Sequence, residues 1–166
     1  MATYETVVYE RVEEKIFRLT LNRPEKLNAL SLKLLSEFDQ VLKEFEADRD
    51  ASVLMVRGAG RAFCAGYDLQ GTQQPGSGFT VSSDRINLHK IIDRWQRLWA
   101  IGKPTIAQVH GYCLAGATEL AGHGDLVFAS EDAQGCQPSG WSRGSLPTIS
   151  MWPVLIGQRK AKEFLF

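Results

Sequence analysis

The chain has 166 residues, 44% of them hydrophobic and 10% aromatic, with 19 basic side chains set against 19 acidic ones. That length buries a real core within one domain spanning residues 1–166, and the balanced charge excludes the global electrostatic footprint of a nucleic-acid binder. Three widely spaced cysteines, Cys64, Cys113 and Cys136, imply no disulfide framework and fit a reducing, cytoplasmic setting. With no apolar run near the ~18 residues of a membrane span and no signal-peptide core in the acidic N-terminus, no membrane association is expected.

In chain order, "TVVYERV" and "IFRLTL" are β-rich runs separated by "EEK", which predicts a hairpin. "LNRPEKLNALS" reads as a loop, because Pro24 blocks regular structure and Ser31 can cap a helix. From Leu32 to Asp48, Leu34, Leu35, Phe38, Val41, Leu42 and Phe45 recur at helical spacing. "SVLMVRG" is a continuous apolar run, which predicts a strand buried on both faces. A tight loop, "GAGRAFCAGYDL", follows. The composition of residues 71–83, "GTQQPGSGFTVSS", predicts a mobile loop. Leu88, Ile91, Ile92, Trp95, Leu98 and Trp99 mark a second amphipathic helix. "KPTIAQVHG" predicts another buried strand, "AGATELAGH" a short helix and "DLVFAS" a last strand. This alternation means an α/β fold with a mostly parallel sheet. "GQRKAKEFLF" opens as an amphipathic helix and stops on three large apolar residues without a capping glycine, so the domain is expected to be incomplete at its C-terminus.

Several candidate sites compete. Gly58 and Gly60 begin a dinucleotide fingerprint, but Phe63 occupies the third glycine position, and "GKPT" at Gly102 has Pro104 where a phosphate loop needs a hydroxyl. Cys64 with a histidine (His89, His110 or His123) would make a nucleophile, although a small cysteine among Phe63, Ala65 and Gly66 more often serves packing. Cys113, His110, His123 and Cys136 lack metal-ligand spacing, so no metal is expected.

The two glycine-rich segments carry more. "VRGAGRAFCAGYDL" and "VHGYCLAGATEL" each run from a predicted buried strand through small residues toward a predicted helix. In a parallel sheet both strand ends open on the edge where α/β ligands bind. Two unpaired backbone N–H groups converging there would form an oxyanion hole. Gly116 lets the backbone approach a ligand, and Glu119, three residues on, overhangs the same point because helical side chains lean toward the N-terminus. A carboxylate beside a polarised carbonyl suits proton transfer. The structural alternative makes Glu119 an N3 residue bonding back to the helix cap.

At these residues the sequence resembles the enoyl-CoA hydratase/isomerase (crotonase) superfamily, through "LNRPEKLNALS", "GAGRAFCAGYDL", "KPTIAQVHGYCLAGATELAGHGDLVFASEDA" and, more loosely, "LIGQRKAKEFLF". The resemblance implies a crotonase-like spiral of ββα units and an acyl-CoA thioester as substrate, with no further cofactor. It implies that the N–H groups of Tyr67 and Gly116 hold the thioester oxygen. It places Lys26, Leu27 and Ala29 along the pantetheine and nucleotide of CoA, and Ala65, Tyr67, Asp68, Leu69 and Gly116 around its thiol end. Glu119 falls on the first of two catalytic glutamates of hydratases, and Ser139 in "GCQPSGW" stands near the second. A serine hydroxyl is not ionised near neutral pH, so half of the two-carboxylate scheme is present. Family members continue past residue 166 into helices that complete the acyl pocket and build trimers, so a homo-trimer or hexamer is expected of a full-length form. The expected activity is enoyl-CoA hydration. Its rivals are another enolate reaction (isomerisation, hydrolysis or decarboxylation) and non-catalytic acyl-CoA binding.

Overall fold

The computed structural model describes residues 3–69, 80–134 and 151–165. Strands β1 (Val7–Glu13) and β2 (Ile16–Leu21) form the expected antiparallel hairpin, with Val7 opposite Leu21. A single 3₁₀ turn, Pro24–Lys26, precedes helix α1 (Leu32–Ala47). Ser31 caps α1 as its sequence position suggests, accepting a bond from the Leu34 N–H at 3.2 Å. The chain then crosses back to β3 (Val53–Gly58), which pairs in parallel with β2. Short strand β4 (Ala62–Cys64), helix α2 (Val81–Ala100) and strand β5 (Thr105–Val109) follow. Strand β6 (Tyr112–Cys113), helix α3 (Gly116–Gly122) and strand β7 (Leu126–Ala129) come next, followed by α4 (Trp152–Ile156) and α5 (Gln158–Leu165). The main sheet has the order β1-β2-β3-β5-β7 and is parallel after the first pair.

Two details differ from the sequence expectation. Helix α2 starts at Val81, inside the stretch read as a loop, while residues 71–79 of that stretch lie outside the described residues. Strand β3 is not buried on both faces. Leu54 and Val56 pack into the core, but Val53, Met55 and Arg57 stay half-buried among the described residues. The cause is one-sided cover: side chains of α1 and α2, including Phe38, Phe45, Trp95 and Leu98, meet Leu54, Val56, Ala107 and Val109 in one cluster. Apolar character alone does not say which face a helix covers. Strand β7, the last strand expected, is more open still, with Leu126, Val127 and Phe128 all at least half exposed.

One buried carboxylate ties the N-terminus to α1. Glu37 accepts from the Thr6 hydroxyl at 2.6 Å, the Thr6 N–H at 2.8 Å and the Glu5 N–H at 3.1 Å. Burial pushes its carboxyl up, but these donors and Lys33 outweigh burial and hold it below the usual glutamate range. A carboxyl depressed in the folded state favours folding above its unfolded value of about 4.3, and the gain is lost as pH falls through the folded value. Glu37→Gln is therefore expected to flatten the fall in stability below pH 5, as read by denaturant midpoints across pH. An unchanged acid limb would remove Glu37 from the acid response.

Candidate active site

The two glycine-rich segments leave the main sheet at the ends of β3 and β5 and then pair with each other. Strands β4 and β6 are parallel neighbours in a separate two-stranded sheet. The Phe63 N–H donates to the His110 carbonyl at 2.8 Å, and the Leu114 N–H to the Cys64 carbonyl at 3.0 Å. The convergence expected from topology is thus a direct backbone contact. Glycine permits it: a Cβ on Gly66 would lie 2.8 Å from the Leu114 carbonyl oxygen and 3.2 Å from the Gly116 nitrogen.

Each segment carries a central N–H without a backbone acceptor among the described residues. Around Tyr67 the Leu30 N–H donates to the Gly66 carbonyl at 2.8 Å, and the Asp68 N–H to the Leu30 carbonyl at 3.2 Å. In such a parallel bridge the middle residue's own N–H points away from its partner strand. In the second segment the Ala117 N–H donates to the Leu114 carbonyl at 2.9 Å, closing a turn whose second residue, Ala115, has φ 48 and ψ −123. Those angles are those of a type II′ turn, whose central N–H groups take no part in the turn bond. The free one next to the glycine is Gly116 N–H, at the first position of α3. Neither Tyr67 N–H nor Gly116 N–H has a backbone acceptor among the described residues.

Ala115 holds a conformation that side chains rarely adopt and that type II′ turns assign to glycine. Strain therefore sits beside the free donor. Ala115→Gly is expected to raise stability by about 1 kcal/mol, measured as an upward shift of the denaturant midpoint at constant slope. A fall would mean that the Ala115 methyl packs better than its backbone is strained.

Glu119 is buried, 4% exposed, and its Oε2 lies 3.4 Å from the Tyr67 hydroxyl. That hydroxyl also accepts from the Trp95 indole N–H at 3.0 Å. The Tyr67 ring packs against Gly116, where a Cβ would come within 2.3 Å of ring atom Cε2. The capping alternative for Glu119 does not match the geometry. The cap of α3 is Ala115, so N3 is Thr118, whose hydroxyl donates to the Ala115 carbonyl at 2.7 Å.

The Cys64 nucleophile does not form. Cys64 is fully buried; its thiol is pushed by burial, against a smaller pull from the Gly66 N–H, up to about 12. Its Sγ lies 3.1 Å from the Asn28 carbonyl oxygen, and the Gly66 N–H donates to it at 3.3 Å. His110 Nε2 instead meets the Gly60 carbonyl at 2.9 Å. His123 Nδ1 meets the Glu119 carbonyl at 2.6 Å, and burial, partly offset by that bond, lowers its pKa. A cleft of about 400 Å³ lined by Arg57, Gln108, His110, Phe128 and Ser130 opens at the ends of β3, β5 and β7. None of Tyr67, Gly116 or Glu119 lines it, so the site rests on its donors and its buried carboxylate.

Sequence reasoning missed Asn28. It is fully buried at φ 56, and its Nδ2 donates to the Ala59, Ala62 and Phe63 carbonyls at 2.8, 2.8 and 3.2 Å. Its Oδ1 accepts from the Arg23 N–H at 2.9 Å. This side chain staples the Arg23–Leu30 turn to the first glycine-rich segment. Arg23 reinforces it by pairing with Asp68 at 2.9 Å and donating to the Ala29 carbonyl at 2.6 Å. The expected CoA contacts Lys26, Leu27 and Ala29 thus run beside Ala65, whose N–H donates to the Leu27 carbonyl at 2.9 Å. Leu69 is exposed on the same segment. Ser139 and Cys136 lie outside the described residues.

A family model described as enoyl-CoA hydratase/isomerase matches residues 11–166. The chain belongs to the enoyl-CoA hydratase/isomerase family. It is similar to the mitochondrial enoyl-CoA hydratase of Pongo abelii, with 36% identity over 139 residues, covering 82% of this chain and 46% of that protein. It is equally similar to the peroxisomal Delta(3,5)-Delta(2,4)-dienoyl-CoA isomerase of Arabidopsis thaliana, at 35% over 143 residues, covering 80% of this chain and 51% of that protein. Among solved structures, an enoyl-CoA hydratase/isomerase from Xanthobacter autotrophicus Py2 superposes with a TM-score of 0.83 at 36% identity, covering 98% of this chain and 60% of that one.

The α/β architecture with a mostly parallel sheet is therefore the crotonase-like fold expected from the motifs. The chain spans about half the length of these curated hydratase and isomerase relatives. Near-equal identity to a hydratase and to an isomerase shows the family and does not choose between the two reactions. No helix among the described residues is long and apolar enough to cross a membrane.

Proposed function

We propose that this enoyl-CoA hydratase/isomerase family member binds an acyl-CoA thioester with its carbonyl oxygen between the N–H groups of Tyr67 and Gly116. Glu119 moves the proton. The observation that carries this reading is the pairing of two spare backbone donors on touching segments with one buried carboxylate on the helix that follows the second. Lys26, Leu27 and Ala29 line the CoA side, and Ala65, Asp68 and Leu69 border its thiol end. No further cofactor enters the scheme. The protein works in the cytoplasm, as a homo-trimer or hexamer in its full-length form.

For hydration of a 2-enoyl thioester, Glu119 takes a proton from water as the water oxygen bonds the β-carbon. The double-bond electrons move through the α-carbon onto the thioester oxygen, where the two N–H groups hold the charge. Collapse of the enolate takes the proton back from Glu119 to the α-carbon, leaving a 3-hydroxyacyl thioester. One carboxylate suffices for this cycle if it both takes and returns the proton. Ser139, near the position of the second hydratase glutamate, is then at most a hydrogen-bonding group to the water.

A second reading, double-bond isomerisation, is favoured by the similarity to the Arabidopsis isomerase. There Glu119 carries a proton from one carbon to another and no water is added. Product analysis with 2-enoyl- and 3-enoyl-CoA thioesters distinguishes the two. A 3-hydroxyacyl product supports hydration, and a shifted double bond supports isomerisation. Binding without either product overturns catalysis. Amide exchange should show protection by an acyl-CoA at residues 62–69 and 111–119, and protection only elsewhere would remove the site assignment.

A further inference from the structure

The Tyr67 side chain has no part in the scheme above, which uses only its N–H. Its surroundings fix the direction of two hydrogen bonds. An indole N–H only donates, so the Tyr67 oxygen accepts from Trp95 at 3.0 Å. The phenol proton must then point elsewhere, and Glu119 Oε2, at 3.4 Å, is the acceptor it meets. Trp95 is fully buried on α2, so the chain of bonds starts from a fixed point in the core. The gap to Glu119 is longer than an ordinary O–H···O bond, as is common for catalytic hydrogen bonds before substrate is bound.

Burial, and next the Glu119 charge, hold the phenol firmly protonated, so it remains a donor throughout the neutral range. Among the described residues, two neighbouring charged groups are already paired. Arg94 of α2 binds Asp39 through two bonds of 2.7 Å. Asp68, beside Tyr67, pairs with Arg23, and burial lowers the pKa of His123, which follows α3.

We infer that Tyr67 is a positioning residue for Glu119: its hydroxyl, oriented by Trp95, aims the carboxylate and favours the ionised form that accepts a proton. This rests on the proposed role of Glu119. One residue then serves the site twice, with its N–H on the thioester oxygen and its phenol on the base, while its ring packs against Gly116.

Tyr67→Phe keeps the ring and the N–H and deletes only the hydroxyl. Turnover of a short enoyl-CoA should fall about ten- to a hundred-fold in kcat with KM little changed, the size expected for a hydrogen bond to a charged group. The acid limb of kcat/KM, which reports the free enzyme's base, should move to higher pH. Fluorotyrosine at position 67, a stronger donor that preserves the fold, should move that limb to lower pH. Opposite shifts support the relay. An inactive Glu119→Gln beside a Tyr67→Phe whose kcat and pH profile match the parent overturns the relay alone. An active Glu119→Gln overturns the role of Glu119 and the relay with it.

Discussion

Glu119→Gln is expected to lower kcat for an enoyl-CoA thioester by about 10²–10⁴-fold, the usual contribution of a general acid or base. Thioester affinity should change little. The substitution keeps the side-chain shape, and the amide oxygen can still accept from the Tyr67 hydroxyl, which now lies 3.4 Å from Oε2. The ability to take and return a proton is removed. Stability should hold or rise, because a carboxylate at 4% exposure bears a desolvation cost that a neutral amide avoids. Those two signs separate chemistry from architecture. A structural glutamate would lose melting temperature and keep turnover.

Asn28→Ala is expected to produce the largest loss of stability. Three carbonyls and the Arg23 N–H lose their partner at once, two of the four bonds lying wholly in the interior. A buried polar group left unpaired costs about 1–3 kcal/mol, so a total of about 3–5 kcal/mol is expected after partial relaxation. That is a large part of the roughly 5–15 kcal/mol that stabilises an ordinary domain. Nearby, Gly58→Ala should act through the same staple, since its Cβ would meet the Ala62 and Phe63 carbonyl oxygens at 2.2 and 2.3 Å and Asn28 Nδ2 at 2.7 Å. Denaturant unfolding of both variants checks this. A loss below about 1 kcal/mol for Asn28→Ala would mean that water replaces the side chain without penalty.

What was legible in the sequence was local. Ser31 precedes a run of helical period, and it caps α1. The three-residue step from Gly116 to Glu119 places both on one turn whatever surrounds them. The convergence of two strand-to-helix segments followed from the alternation of elements, and the motifs carried the family. Long-range partners were not legible. Asn28 reaches Phe63 across 35 positions, Trp95 reaches Tyr67 across 28, and Tyr67 reaches Glu119 across 52. Asn28 sits in a loop where asparagine is ordinary, and Trp95 reads as one apolar position of a helix face. Nothing in their neighbours says where an amide or an indole N–H will find its acceptor. The one-sided burial of β3 escaped for a related reason: an apolar run records that a strand is buried, and packing decides on which face.

The most direct test of the site is the carbonyl stretch of a bound acyl-CoA labelled with ¹³C at the thioester carbon, followed by infrared difference spectroscopy. Two N–H donors aimed at one oxygen polarise the C=O bond before any chemistry occurs. The band is predicted to fall to lower frequency than the same thioester shows in water, and Gly116→Pro, which deletes one donor, should return most of that shift. A bound thioester whose carbonyl absorbs where it does in water would contradict the assignment of Tyr67 and Gly116 as the oxyanion hole.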